Sequence, residues 1–346
     1  MADKLRIGIA GLGNISTTHA RAINALPDAE LCSAFSRSED SLKRFGDEFD
    51  VPLFSQRNGF LSQPDLHAVA VCTPTGTHLE IGRAAAMAGK HLIIEKPIEV
   101  TSQKGKELIR VCRGNSVQLA VIYQNRFSDS VLSMKNAIES GAIGKPVMAR
   151  GSVKWFRDQH YYSGSDWRGT FALDGGGAVM NQSIHTIDLL WWLMGDVDSV
   201  SAYKATLTHP QIEAEDNAVA VLRFKSGALG VFEASTSITP AEPRTIEIHG
   251  DKGTAILKGD DFQLLSSEGS SKEESSSEGA GSAHPLAGLG FENHRRQYAE
   301  IVRAILSGHE PVVSGQDSLQ SLAIAEAIYR SADELRAVSP SEILSE

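Results

Sequence analysis

Cysteine is scarce in this sequence: three in 346 residues, Cys32, Cys72 and Cys112, set far apart. That spacing suggests neither a disulfide framework nor a cysteine metal clip. Basic residues are outnumbered, with 33 Lys plus Arg against 43 Asp plus Glu and a net charge of −10. So acidic a chain has no broad surface that neutralises phosphates, and no nucleic-acid partner is expected. A local basic pocket for one phosphate-bearing ligand remains compatible with that charge. No run approaches the roughly 18 apolar residues of a membrane span, so no membrane partner is expected. The first strand-like run begins at Leu5, which leaves no room for a signal peptide. Together these absences predict a soluble protein of a reducing compartment, cytoplasmic in location. What remains is ordinary globular composition, 41% hydrophobic and 22% charged, in a chain long enough for two domains.

The first 125 residues alternate short β-rich runs (5–10, 30–35, 67–72, 91–95 and 117–123) with helical patterns (17–26, 39–49, 78–88 and 102–112). Such alternation builds right-handed βαβ units and an α/β domain, a doubly wound parallel sheet over residues 1–124. After Asn125 the pattern changes. A helix is predicted over 129–140, a long strand over 146–156, then an aromatic loop and a helix over about 177–194. Strands at 200–205, 217–224, 228–235, 244–249 and 254–258, joined by short turns, predict a mostly antiparallel sheet in an α+β domain spanning 125–346. The stretch 266–283 is nearly all Ser, Gly, Glu, Lys and Ala and reads as a flexible surface insertion. Terminal helices at 292–306 and 316–335 close the chain and pack back.

The first strand runs into Gly11-Leu12-Gly13-Asn14-Ile15-Ser16 and then a helix. Gly11 suits a sharp turn, Gly13 lets a pyrophosphate approach the backbone, and the amides from Asn14 and Ile15 onward face it. The third fingerprint position is Ser16, small but not glycine. Its place after a strand and before a helix is the context that the motif requires. The second strand ends in Phe35-Ser36-Arg37 rather than in an acidic residue. A hydroxyl and a guanidinium suit a 2′-phosphate, so the cofactor is expected to be NADP or NAD, with NADP slightly favoured.

Lys96 ends the strand at 91–95, at the edge where ligands of open α/β sheets bind, and Pro97 holds it extended. In the second domain Asp174-Gly175-Gly176-Gly177 leads into a helix carrying Asn181, His185 and Asp188. Spacings of four and three put these three on one helical face, a polar stripe on an otherwise apolar helix. No further His, Cys or carboxylate completes a ligand set there, and no metal is expected.

Gly11-Leu12-Gly13 with His19, Cys72-Thr73-Pro74 with His78, Glu95-Lys96-Pro97, Asn125-Arg126, Trp167-Arg168, Asp174-Gly175-Gly176-Gly177 and His185 with Asp188 recur in this order. In this the chain resembles the Gfo/Idh/MocA family of nicotinamide-dependent sugar and polyol oxidoreductases, over essentially its whole length. The resemblance implies a Rossmann domain, then a domain on an open-faced sheet that often mediates homodimers or homotetramers. It also implies a catalytic pair of Lys96 and His185. Inositol dehydrogenase-like members carry Asp where this chain has Asn181, so Asn181 can orient substrate or imidazole but cannot ionise. By the same resemblance Thr73, Pro74, Thr75, His78, Glu95, Lys96, Asn125, Trp167 and Arg168 line the cofactor cleft.

The loop from Lys154 to Tyr162 is rich in aromatics, which stack on sugar C–H surfaces, and Arg157 or Arg168 could hold a carboxylate or phosphate. Lys96, Arg157, Tyr161, Arg168, Asn181 and His185 are therefore the expected substrate contacts. The loop looks like that of the subgroup including UDP-N-acetylglucosaminuronate 3-dehydrogenases. The expected reaction is hydride transfer between nicotinamide and a secondary hydroxyl of a sugar, inositol or sugar derivative. The alternatives are NAD-dependent glycoside hydrolysis by transient oxidation and a non-catalytic NAD(P)-binding regulator.

Overall fold

The computed structural model describes residues 4–266, 271–274 and 290–346. The backbone divides into two compact units, Met1–Gln124 with Phe291–Leu319, and Asn125–Gly290 with Gln320–Glu346.

The first unit holds a six-stranded parallel sheet of β1 (Leu5–Ala10), β2 (Ala29–Phe35), β3 (Leu53–Phe54), β4 (Ala68–Val71), β5 (His91–Ile94) and β6 (Leu119–Val121). Their spatial order is β3-β2-β1-β4-β5-β6. Ile7 and Ile9 of β1 and all of β4 are fully buried, as expected of strands covered on both faces. The order reverses between β1 and β4, so the loops leaving these two strands diverge at the sheet's carboxyl edge, the place where such sheets bind ligands. Those loops are Gly11–Gly13 and Thr73-Pro74. Helices α1 (Ser16–Asn24), α2 (Glu39–Gly46), α3 (Arg57–Leu61), α4 (His78–Met87) and α5 (Ser102–Gly114) make the crossovers. Strand β3 and helix α3 had no periodic signal, being two and five residues long. The late helix α9 (Glu292–Ser307) packs on α1, where Tyr298, Ile301, Val302 and Ile305 join Ala20 and Ile23 in one buried cluster.

The second unit begins with α6 (Asp129–Glu139) and holds an eight-stranded sheet. Its strands are β7 (Pro146–Lys154), β8 (Val197–Ala205), β9 (Asn217–Phe224), β10 (Leu229–Ser235), β11 (Thr245–Gly250), β12 (Gly253–Lys258), β13 (Asp261–Ser266) and β14 (Ser271–Glu274). The order is β14-β13-β12-β11-β7-β10-β9-β8, antiparallel throughout except for β7 against β10. Helix α8 (Ser183–Met194) lies close over β7, where a Cβ on Gly151 would strike Leu190. On β9 burial alternates strictly: Ala218, Ala220, Leu222 and Phe224 face in, Val219 and Val221 face out. Helix α10 (Gly315–Glu334) gives its first residues to the first unit and the rest to the second, and α11 (Pro340–Ser345) ends the chain.

Three expectations change. The aromatic loop contains a short helix, α7 (Gln159–Ser163), capped by Asp158, whose Oδ1 accepts the Tyr161 N–H at 2.7 Å. The helix expected from about 177 opens instead with a π-helical turn, Ala178–Gln182, before α8. Within the expected insertion 266–283, Ser266 ends β13 and residues 271–274 form β14 on the edge of β13. Edge pairing uses main-chain N–H and C=O groups, which a serine- and glutamate-rich segment has as well as any other. The remainder of that insertion lies outside the described residues.

Candidate active site

In the first unit the glycine loop is a tight turn between β1 and α1. Gly11 has φ +95°, and a Cβ there would also meet the Thr73 backbone nitrogen at 2.7 Å, so both conformation and packing demand glycine. Around Gly13 there is open space, and Asn14 beside it is exposed. Ser16 takes the third fingerprint position and donates its hydroxyl to the Gly13 carbonyl at 2.7 Å, closing the turn at the start of α1. Ile15, half-buried, precedes that helix. Past β2, Ser36 Oγ accepts the Ser38 N–H at 3.1 Å and Arg37 is exposed. The Thr73–Thr77 turn is locked by Thr77, whose Oγ1 lies 2.8 Å from Thr73 Oγ1 and 2.7 Å from the Pro74 carbonyl. Thr75 is buried in that turn. His78 ties the turn to the next loop, its ring nitrogens facing the carbonyls of Thr73 at 3.0 Å and Pro97 at 3.1 Å. Burial lowers the pKa of His78, with Glu99 opposing.

Glu95 and Lys96 follow β5, and the Lys96-Pro97 peptide is cis. Glu95 Oε1 meets His19 Nε2 at 2.8 Å, and His19 Nδ1 meets the Tyr298 hydroxyl at 2.7 Å. Burial opposes charge on both partners. The His19 hydrogen bond and the charges of His19, His294 and Lys96 nevertheless bring the Glu95 carboxyl down to about 2. Cys72, Tyr298 and Glu95 overcome burial at His19, whose pKa is raised well above its ordinary value. His294 lies beside them, and burial together with the charge of His19 pushes it to about 3. The role of α9 in this cluster was not legible, because His294 and Tyr298 are some 200 residues from Glu95 and join it through packing alone.

In the second unit the Asp174–Gly177 loop is fixed from two sides. Gly175 has φ +82°, a Cβ on Gly176 would collide with the Tyr329 hydroxyl, and one on Gly177 would collide with the Glu215 carbonyl. Glu215 Oε1 accepts the Val179 N–H at 2.8 Å and the Tyr329 hydroxyl at 3.1 Å; Oε2 accepts the Gly177 N–H at 3.3 Å. Tyr329 Oη accepts the Met180 N–H at 3.2 Å. Asp174 accepts the Gly169 N–H at 2.9 Å and the side-chain amide of Asn181. Asn181 Oδ1 accepts from Gln182, which also donates to the Tyr161 hydroxyl at 2.9 Å and accepts from Arg157 Nε at 3.1 Å. One hydrogen-bonded chain thus runs from the Asp174 carboxylate through Asn181 and Gln182 to Tyr161 and Arg157. Asp174, Glu215 and Tyr329 were missed as supports; the only local hint was the triple glycine, whose crowding partners lie far along the chain.

His185 stands half-buried on α8, one turn beyond Asn181. Asp188 follows His185 on the same helix, one turn on, but it is already engaged. Its carboxylate forms a fully buried two-bond pair with Arg126 (2.8 Å from Nε, 2.5 Å from Nη2) and accepts the Ser321 hydroxyl at 2.8 Å. Sequence spacing could not show this partner, because the buried guanidinium comes from another part of the chain. Arg126 also lies over Trp191 and Trp192. Asn125 is buried, and its Oδ1 has no hydrogen-bond partner among the described residues.

The aromatic segment forms a wall of rings and guanidinium groups. Arg157 lies 5.0 Å from the Trp155 ring and 5.4 Å from that of Tyr161. Arg168 lies 4.4 Å from the Tyr161 ring and 5.4 Å from that of Trp167. Arg168 Nη1 donates to the Tyr161 carbonyl at 3.1 Å. Trp155 Nε1, Gln159 Oε1 and Arg168 Nε are buried with no hydrogen-bond partner among the described residues.

Comparison with known proteins identifies the family. Residues 5–123 match the family described as "Oxidoreductase family, NAD-binding Rossmann fold", and residues 131–256 match the GFO/IDH/MocA C-terminal domain. The WlbA dehydrogenase from Bordetella pertussis, solved with NADH and UDP-GlcNAcA, is 33% identical and superimposes with a TM-score of 0.87 over 98% of both chains. Myo-inositol 2-dehydrogenase of Thermotoga maritima is 29% identical over 98% of this chain and 100% of its own. Inositol 2-dehydrogenase of Rhizobium meliloti is 26% identical over 97% and 99%.

Proposed function

The chain belongs to the Gfo/Idh/MocA family of oxidoreductases, and from that premise we propose that it oxidises, reversibly, a secondary hydroxyl on an anionic sugar derivative. It is a nicotinamide-dependent dehydrogenase acting on CH–OH groups of a sugar, inositol or sugar derivative. The cofactor is NAD or NADP, and the open space at Gly13 fits such a group. When bound, the dinucleotide supplies the hydride acceptor.

This chain's residues supply binding, orientation and proton handling. Gly11, Gly13, Asn14 and Ile15 would hold the pyrophosphate, and Ser36 with Arg37 the adenosine ribose. Thr73, Pro74, Thr75, His78, Glu95, Asn125 and Trp167 would complete the cofactor contacts. Lys96 Nζ takes the hydroxyl proton, and His185 orients the same hydroxyl or shares that proton. Asn181 positions substrate, with Asp174 holding its amide in place. The wall of Arg157, Tyr161 and Arg168 carries the substrate reading. Burial lowers the pKa of Arg157, a cost that a bound carboxylate or phosphate would offset. The WlbA relative, solved with a nucleotide-linked uronic acid, supports the same ligand chemistry.

Assembly into homodimers or homotetramers is part of the proposal. The outward face of β9 and β10 exposes Val219, Val221, Leu229 and Val231, an apolar stripe of the kind that self-association covers. No helix among the described residues is long and apolar enough to cross a membrane.

A panel of neutral sugars, inositols and uronic acids, assayed with NAD and with NADP, tests the substrate class. Uronic acids or nucleotide-linked sugars should give the highest kcat/KM, and a clear preference for neutral polyols would refute the anionic reading. Lys96→Met should abolish hydride transfer while leaving cofactor binding measurable by fluorescence titration. Near-normal turnover would remove Lys96 from the chemistry.

A further inference from the structure

His294 is 3% exposed, and neither of its ring nitrogens has a hydrogen-bond partner among the described residues. A buried imidazole left in that state loses the hydrogen bonds that water would give it. It is not an isolated ring. The donor atoms of His19, Glu95 and His294 lie within 4.8 Å of one another, and the His19 and His294 rings meet edge to face at 5.3 Å. His19 is oriented by the Tyr298 hydroxyl on Nδ1, which leaves Nε2 directed at Glu95. A second hydrogen bond that fixes the tautomer and ring angle is how proteins hold metal-ligating histidines. Two imidazoles and one carboxylate are a three-ligand zinc set with a fourth position left for water. The Glu95 side chain is 13% exposed, so the trio opens to solvent on the carboxylate side.

We propose that His19, Glu95 and His294 bind one divalent transition-metal ion of the zinc class. The ion replaces the direct His19–Glu95 hydrogen bond, with the His19 Nε2 lone pair, a Glu95 oxygen and one His294 nitrogen as ligands. His19 then keeps its proton on Nδ1 and donates it to Tyr298. The site is assembled within one unit and does not depend on the dehydrogenase reading. Because Glu95 precedes Lys96, the bound ion also fixes the carboxylate next to the residue to which proton handling is assigned.

The test is equilibrium dialysis of the metal-free full chain against zinc sulfate, with zinc counted by mass spectrometry, beside His294→Gln. Wild type should retain one zinc per chain, and a folded His294→Gln chain should bind at least about tenfold more weakly. X-ray absorption of the zinc-loaded wild type should show two imidazoles and a carboxylate oxygen in a four-coordinate shell. This measurement decides the question even if His294→Gln does not fold. Absence of bound zinc, equal affinity in a folded His294→Gln chain, or fewer than two imidazoles around the ion would each overturn the proposal.

Discussion

Replacing Glu215 by Gln should remove one defined component of the pH dependence of folding in this protein. Burial lifts the Glu215 carboxyl to about 7 from an ordinary 4.5, against the N–H bonds from Val179 and Gly177 and the Tyr329 hydroxyl. Between these two values the folded chain keeps a proton that the unfolded chain has released. Stability is therefore full below the unfolded value, falls as pH rises through the folded one, and levels off above it. The gap corresponds to roughly 3 kcal/mol, of which about 2–3 falls between about pH 5 and about pH 8. Other groups titrate over the same range, so the informative quantity is the difference between wild type and Glu215→Gln at each pH. Urea unfolding followed by tryptophan fluorescence and circular dichroism gives it. The wild type should lose stability relative to the variant as pH rises across that window. Parallel curves would refute the reasoning, because they would mean that the carboxyl ionises as freely in the folded chain as in the unfolded one.

Asp174→Asn should leave the fold intact but lower kcat by roughly 10- to 100-fold, since a hydrogen bond to a charged group is worth about 1.5–3 kcal/mol. Unchanged steady-state kinetics would show that Asn181 needs no carboxylate behind it. Asp188→Ala strands the buried Arg126 guanidinium and should cost about 3–5 kcal/mol in urea unfolding, far more than an exposed pair. Val221→Lys puts a charge on the exposed face of β9 and should shift the mass measured by light scattering toward the monomer, with secondary structure unchanged. An unaltered mass would place the self-association surface elsewhere.

The parallel half was legible because its information is local. A run such as Leu-Arg-Ile-Gly-Ile-Ala followed by Gly-Leu-Gly encodes strand, turn and helix start within a dozen residues. The glycines were visible, but the reasons for Gly176 and Gly177 were not, because Tyr329 and Glu215 crowd them from far along the chain. Asn181, His185 and Asp188 stand out as polar exceptions on an apolar helix, yet the pattern does not reveal that Arg126 engages Asp188. Periodicity gives the angle of a side chain around its own axis, not the identity of what faces it. The π-turn at Ala178–Gln182 escaped for a related reason: it is held by Glu215 and Tyr329 rather than by propensity.

Because α9 lies on α1, the first unit is completed only late in synthesis. The first 124 residues contain every strand of the parallel sheet, but Tyr298, Ile301, Val302 and Ile305, which cover the α1 face, come after Gly290. At roughly 5–20 residues per second, the ribosome takes about 10–30 s to make the intervening stretch of about 170 residues. During that interval α9 is not yet available to pack against Ala20, Ile23 and their neighbours. The cover of α1 is therefore completed only after the strands of the second sheet have been synthesised.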